Sequence, residues 1–180
     1  MEYVLKVSSK QELLGKVVFV DEHLGARADP FMLEIFREFP QHQLISYHRM
    51  LSEYSTKKGI SLLETNAASI EVEPETEVLI IDGWKHRSNT ISKNEVTIVD
   101  QKNKEIGQIE RKNKIIFIIN RSITQTDYRE IYKAYVLVRL QPLAISTMHT
   151  HSTAITIREK DIEVRLLHHH TSPHKYTVHQ

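Results

Sequence analysis

Apolar and polar positions alternate in two different rhythms along the chain, and the change comes near residue 60. Residues 16–22 (KVVFVDE) are a β-branched apolar run that ends in charge, which predicts a buried strand stopping at a turn by Gly25. Asp29 followed by Pro30 reads as an N-cap and first helical residue. Phe31, Leu33, Ile35, Phe36 and Phe39 then fall mainly on one side before Pro40, predicting a helix. Leu44, Tyr47, Met50, Leu51 and Tyr54 recur at three- and four-residue spacing, predicting a second helix over 43–56 capped by Gly59.

From Ile60 the pattern becomes short apolar runs and alternation broken by turn residues. It predicts strands over 69–73, 77–81, 95–99, 105–111, 114–120, 131–140, 143–157 and 162–170, with 100–105 as a hairpin loop and Gln141–Pro142 as a connection. Thr126 and Asp127 offer an alternative cap for a helix through 128–135. The expected fold is α+β: a predominantly antiparallel β-sandwich or small barrel over 60–170, with two N-terminal helices covering one face or end. Residues 1–59 and 60–170 form one domain in this reading, and 171–180 a tail.

Composition narrows the chemistry more than it identifies it. At 180 residues the chain is long enough to bury a core without cross-links. It has no cysteine, which excludes disulfides, thiolate metal sites and cysteine nucleophiles. Lys and Arg total 24 against 23 Asp and Glu, a formal charge of +1 with the signs interspersed, so no basic surface for nucleic acid is indicated. The longest apolar runs, such as 115–119, are far shorter than a transmembrane helix, and residues 1–10 lack the apolar core of a signal peptide. The expectation is a soluble cytoplasmic protein, with a host cell or a virion equally compatible.

The sharpest compositional bias is in histidine: seven of 11 lie between His149 and His179. If 143–157 and 162–170 form a hairpin turning at Glu159 and Lys160, His149 faces His170 and His151 faces His168. Opposed Cβ atoms lie roughly 4.5–5.5 Å apart, so four imidazoles would share one patch. That set suits zinc or another divalent transition metal, as in a hydrolase or oxygenase. His169, His174 and His179 fall outside the register. The alternative is a noncatalytic assembly protein, such as a viral or phage structural component, whose homo-oligomer or partner contacts respond to histidine protonation.

Other motifs are incomplete. His149-Thr-His151 resembles the start of a cupin metal site, but no glutamate follows at the short interval and the flanking glycines are missing. His86-Arg-Ser88 and His151-Ser-Thr153 share the bare pattern of two-histidine phosphoesterases, with Arg87, Asn89 and Ser152 where that family favours apolar residues. Asp100 with Glu110 and Lys112 resembles the acidic and Glu-x-Lys residues of metal-dependent nucleases, although these positions also suit a hairpin opener and exposed strand charges. The five glycines are not spaced for a phosphate loop. Trp84, Lys85, His86 and Arg87 put the only tryptophan among basic residues after an apolar strand. They form a candidate partner-binding loop, unless Trp84 simply caps the core.

Overall fold

Three apolar runs, VVFVDE, VLIID and IIFIIN, and the more polar segment HQLIS decide the architecture because each is buried almost without interruption. A strand with one wet face alternates, whereas a parallel strand covered on both faces reads as a continuous apolar run. A computed structural model of the chain describes residues 9–22, 27–54, 56, 58–64, 69–84, 88–121, 135–149, 152–168 and 174–179, with only the backbone for 139 and from 141 onward. In chain order the elements are α1 (Lys10–Leu13), β1 (Val17–Glu22), α2 (Asp29–Glu38), β2 (His42–Ser46), a 3-10 turn (Leu51–Glu53), β3 (Gly59–Ser61), β4 (Val78–Asp82), β5 (Thr90–Ile91), β6 (Glu95–Val99) and β7 (Glu105–Glu110). After these come β8 (Ile115–Asn120), β9 (Val136–His149), β10 (Ser152–His168) and β11 (His174–His179).

The main sheet has eight strands in the order β11-β10-β9-β1-β8-β4-β2-β3. Six of them, from β9 to β3, run parallel, while β10 pairs antiparallel with β9 and β11 antiparallel with β10. Strands β5, β6 and β7 form a separate antiparallel sheet. The chain is therefore a mixed α/β fold, and the expected antiparallel sandwich or barrel is wrong.

Within the parallel strands, successive residues point to opposite faces. Val18, Val20, Leu44, Val78, Ile80, Ile115, Phe117 and Ile119 form one core with Phe31, Met32 and Ile35 of α2. Val17, Phe19, Ile45, Leu79, Ile81, Ile116 and Ile118 form the other, packed against Ile91, Val96, Ile98, Ile106 and Ile109 of the small sheet. The result is three layers, α2, parallel sheet and antiparallel sheet. In contrast to the central strands, β7 buries only Ile106 and Ile109, and its pairing with β6 shifts register between Ile98 and Val99.

The predicted helix at Asp29 is present, but the one over 43–56 is not. There β2 enters the parallel sheet between β3 and β4, followed by the short 3-10 turn. Met50, which the helical spacing turns inward, is half exposed, whereas all five residues of β2 are buried. Gly59, expected as a helix cap, starts β3 instead with φ +154°, where a Cβ would collide with the Leu44 carbonyl. The strand predicted over 69–73 is absent, although the Ile70 amide bonds the Ile106 carbonyl at 2.7 Å beside β7.

The last hairpin also differs from expectation. Residues 143–157 are not one strand: β9 ends at His149 and β10 begins at Ser152. The charged segment that reads as a turn sits inside β10, where the register shifts between Arg158 and Ile162. It lacks the Gly or Asn that tight hairpin turns favour, and a bulge accommodates extra residues without one. The possible helix over 128–135 falls outside the described residues except at Tyr135.

Candidate functional site at the carboxyl edge of the parallel sheet

In open α/β sheets, ligands bind beyond the carboxyl ends of the strands, where neighbouring strands send their connections in opposite directions. Strands β1 and β8 are such neighbours. The chain leaves β1 toward β2 on one side and leaves β8 for β9 on the other. Beyond the apolar runs, these strands and their neighbours end in polar residues: Asp21 and Glu22 on β1, Ser46 on β2, Asp82 on β4, and Asn120 followed by Arg121 after β8.

The pleat sorts these residues into two groups. On the α2 face, the Arg121 guanidinium is gripped by three carboxylates. Its Nε donates to Asp82 Oδ1 at 2.5 Å, one terminal nitrogen to Glu22 Oε2 at 3.0 Å, and the other to Asp29 Oδ1 at 2.9 Å. That last nitrogen also lies 3.4 Å from Met32 Sδ. The Arg121 side chain is 6% exposed and that of Asp82 0%, so this is a buried ion cluster rather than a surface pair. Tyr54 donates to the second oxygen of Asp82, and its hydroxyl lies 3.0 Å from Ser46 Oγ.

Asp29 joins this group because it does not cap α2. Ala28 occupies the N-cap without a side-chain bond, and Asp29 is the first helical residue. Its carboxylate meets Arg121 and takes a two-pronged contact from Arg49 at 3.1 and 3.2 Å. The Ala28 amide is held instead by Glu22 Oε2 at 2.8 Å.

Electrostatics fix the charge states of several members. Burial alone would raise the Asp29 pKa, but the hydrogen bond and charge of Arg121, with those of Arg49, hold it below the ordinary carboxylate value. Burial works against the charge of Arg121, yet Asp82 and Asp29 raise its pKa above the usual guanidinium value, so it stays charged. Burial, then the negative charge of Asp82 and its bond to the hydroxyl, raise Tyr54 well above an ordinary phenol. Tyr54 therefore remains a neutral donor.

Beside this cluster, between α2 and the 3-10 turn, lies a pocket of about 100 Å³ lined by Asp29, Met32, Leu33, Phe36, Arg49, Glu53 and Tyr54. Phe36 stacks on His42 with ring centroids 4.6 Å apart, and both His42 ring nitrogens are engaged, by the Phe39 carbonyl at 2.7 Å and Thr56 Oγ1 at 2.9 Å. Burial first, and then the nearby Lys58 charge, lower the His42 pKa against the Phe39 hydrogen bond, which raises it.

On the opposite face the groups are closed over. Asn120 Nδ2 donates to Asp21 Oδ1 at 2.9 Å, with both residues buried. The single Tyr47 hydroxyl hydrogen is shared between the Val99 carbonyl at 2.5 Å and Asn89 Oδ1 at 2.9 Å, and the Val99 amide donates to the same Asn89 oxygen at 3.0 Å. Tyr47 is pushed up to about 12, chiefly by burial. These bonds tie β2 to β6 and leave the buried Asn89 Nδ2 without a partner among the described residues.

Of the four predicted metal ligands, the described residues include His149 and His168. His149 pairs with Ser152 at one end of the β9–β10 hairpin and His168 with Val136 at the other. His151 and His170 lie outside the described residues. Among the described residues no group of three or more His, Asp or Glu is arranged to hold a metal ion. Trp84 is 5% exposed and sits in the core beneath the small sheet, while Lys85, His86 and Arg87 lie outside the described residues. Among the described residues no helix is long and apolar enough to cross a membrane.

Sequence reasoning passed over the carboxyl-edge residues, although their signal was present. Three apolar runs end V-D-E, I-I-D and I-N-R, which marks functional strand ends once the runs are read as parallel strands. Arg49 and Tyr54 carried no such signal, because the helical reading of 43–56 placed Tyr54 in a core stripe. No protein-family model matches the chain, and no curated protein matches it.

Proposed function

We propose that the chain is a small-molecule-binding α/β domain whose ligand sits in the pocket between α2 and the 3-10 turn. The observation that carries this reading is the pocket's position against a buried Arg121–Asp82–Asp29 cluster at the carboxyl edge, where parallel sheets bind ligands. The cluster makes one wall rigid before any ligand arrives. Tyr54 is held by Asp82, Arg49 by Asp29, and Phe36 by its stack on His42, so polar and aromatic walls are preorganised. The remaining wall, Met32 and Leu33, accepts an apolar stem.

A ligand-observed NMR screen of neutral, anionic and cationic fragments tests this reading. Fragments are expected to bind the wild-type protein and to be lost in a folded Leu33→Trp variant, whose larger side chain fills the pocket. An absence of hits, or hits that survive Leu33→Trp, would contradict it.

A further inference from the structure

We infer that the pocket takes a small organic cation, an ammonium or guanidinium on a short apolar stem; this rests on the reading above that the pocket binds a ligand. The charges around it do not balance. Glu22, Asp29, Asp82 and Glu53 contribute four carboxylates against the two guanidinium groups of Arg49 and Arg121. Arg49 is already paired two-pronged with Asp29, and Arg121 is enclosed by three carboxylates, so both guanidinium charges are compensated before any ligand arrives.

Glu53 supplies the complementary acceptor. One of its oxygens accepts from the Met50 amide at 3.1 Å, and the other has no partner among the described residues. Its side chain is exposed at the mouth of the pocket, where an incoming cation keeps part of its hydration. Two aromatic rings, Phe36 and Tyr54, line the same space, and ring faces attract cations. The methylene stem of an alkylammonium meets Met32 and Leu33. An anion of the same size would face Asp29 and Glu53 with no uncompensated positive charge to offset them, and a neutral alcohol would gain only the apolar contacts.

The test titrates n-butylammonium, n-butanol and butyrate into the full chain, following binding by chemical-shift changes at neutral pH. The ammonium is expected to bind about tenfold more tightly than the alcohol, as one partly exposed ion pair and a cation–ring contact together would give, and butyrate is expected to bind weakest. Glu53→Gln keeps an oxygen for the Met50 amide but removes the charge, and it is expected to erase most of the preference for ammonium over alcohol. Equal binding of ammonium and alcohol, tighter binding of butyrate, or an unchanged preference in Glu53→Gln would overturn the cation assignment. In those cases, binding that is lost in Leu33→Trp leaves the pocket reading standing. If none of the three probes binds, both fall.

Discussion

The two sides of one sheet edge have been put to different uses. On the α2 side, charged residues at the strand ends meet Asp29 and Arg49 and leave a pocket open. On the other side, Asp21, Asn120, Tyr47 and Asn89 are locked into short hydrogen bonds beside the small antiparallel sheet, and both Asp21 and Asn120 are buried. The pleat alone makes this division, since residues one apart on the same strand, such as Asp21 and Glu22, are sent to opposite faces. A buried ion cluster is seldom the most stabilising filling for a core, because desolvation offsets most of the attraction. Its retention on the open face, and the largely neutral bonding on the closed one, separates a site from a joint.

The strongest way to break this contrast is to remove Arg121. Arg121→Met strands Asp82, which is fully buried, among other carboxylates, and is expected to lower the unfolding free energy by about 3–5 kcal/mol in urea titrations. Adding Asp82→Asn to that variant is expected to recover part of the loss, because the stranded charge is then gone. A loss under about 1 kcal/mol in Arg121→Met would show that the cluster is not buried as described.

On the closed face the expected effect is smaller. Asn89→Ala deprives the Val99 amide and the Tyr47 hydroxyl of a shared acceptor, and is expected to cost about 1–3 kcal/mol in the same assay while leaving fragment binding unchanged. A change in fragment binding would mean the two faces are coupled rather than separate.

These two experiments also mark where the sequence was readable. The helix at Asp29, the strand cores of β1, β4, β6, β7 and β8, and the loop after Val99 follow from spacing and turn residues alone. The parallel arrangement did not, because a run such as IIFII fits either a sandwich core or a strand covered on both faces, and local pattern cannot say which partner lies alongside. For β2, Leu44, Tyr47, Leu51 and Tyr54 happen to match helical spacing, and only tertiary pairing with β3 and β4 overrides it. The histidine bias drew attention to residues 149–179, whereas Arg121, a single arginine after an apolar strand, carried no comparable signal. Its role depends on residues from four separate segments, which spacing cannot bring together.

The pH dependence sharpens the comparison further, since His42 and Asp29, two groups with depressed pKa values, both belong to the α2 side. Because the folded pKa of His42 lies below the ordinary 6.5, the unfolded chain binds its proton first. Its contribution to stability is complete above that value and is lost as pH falls through the folded pKa. His42→Gln is expected to flatten that limb of the stability profile. Asp29, also depressed in the folded state, contributes above the ordinary 3.8 and loses its contribution at lower pH, a separate and more acidic limb that Asp29→Asn removes. A profile unchanged by either substitution would contradict the assigned environments. The smallest expected effect on stability is that of Glu53→Gln: its exposed carboxylate leaves the unfolding midpoint unchanged, and only the selectivity among probes moves.

The most direct test of the division between the two faces is an amide chemical-shift map recorded with and without saturating n-butylammonium. The account predicts shifts confined to the α2 side, at Asp29, Leu33, Phe36, Arg49, Glu53 and Tyr54, with Asn89 and Val96 to Val99 unmoved. Shifts centred on Asn89 and β6, or spread evenly over both faces, would contradict it.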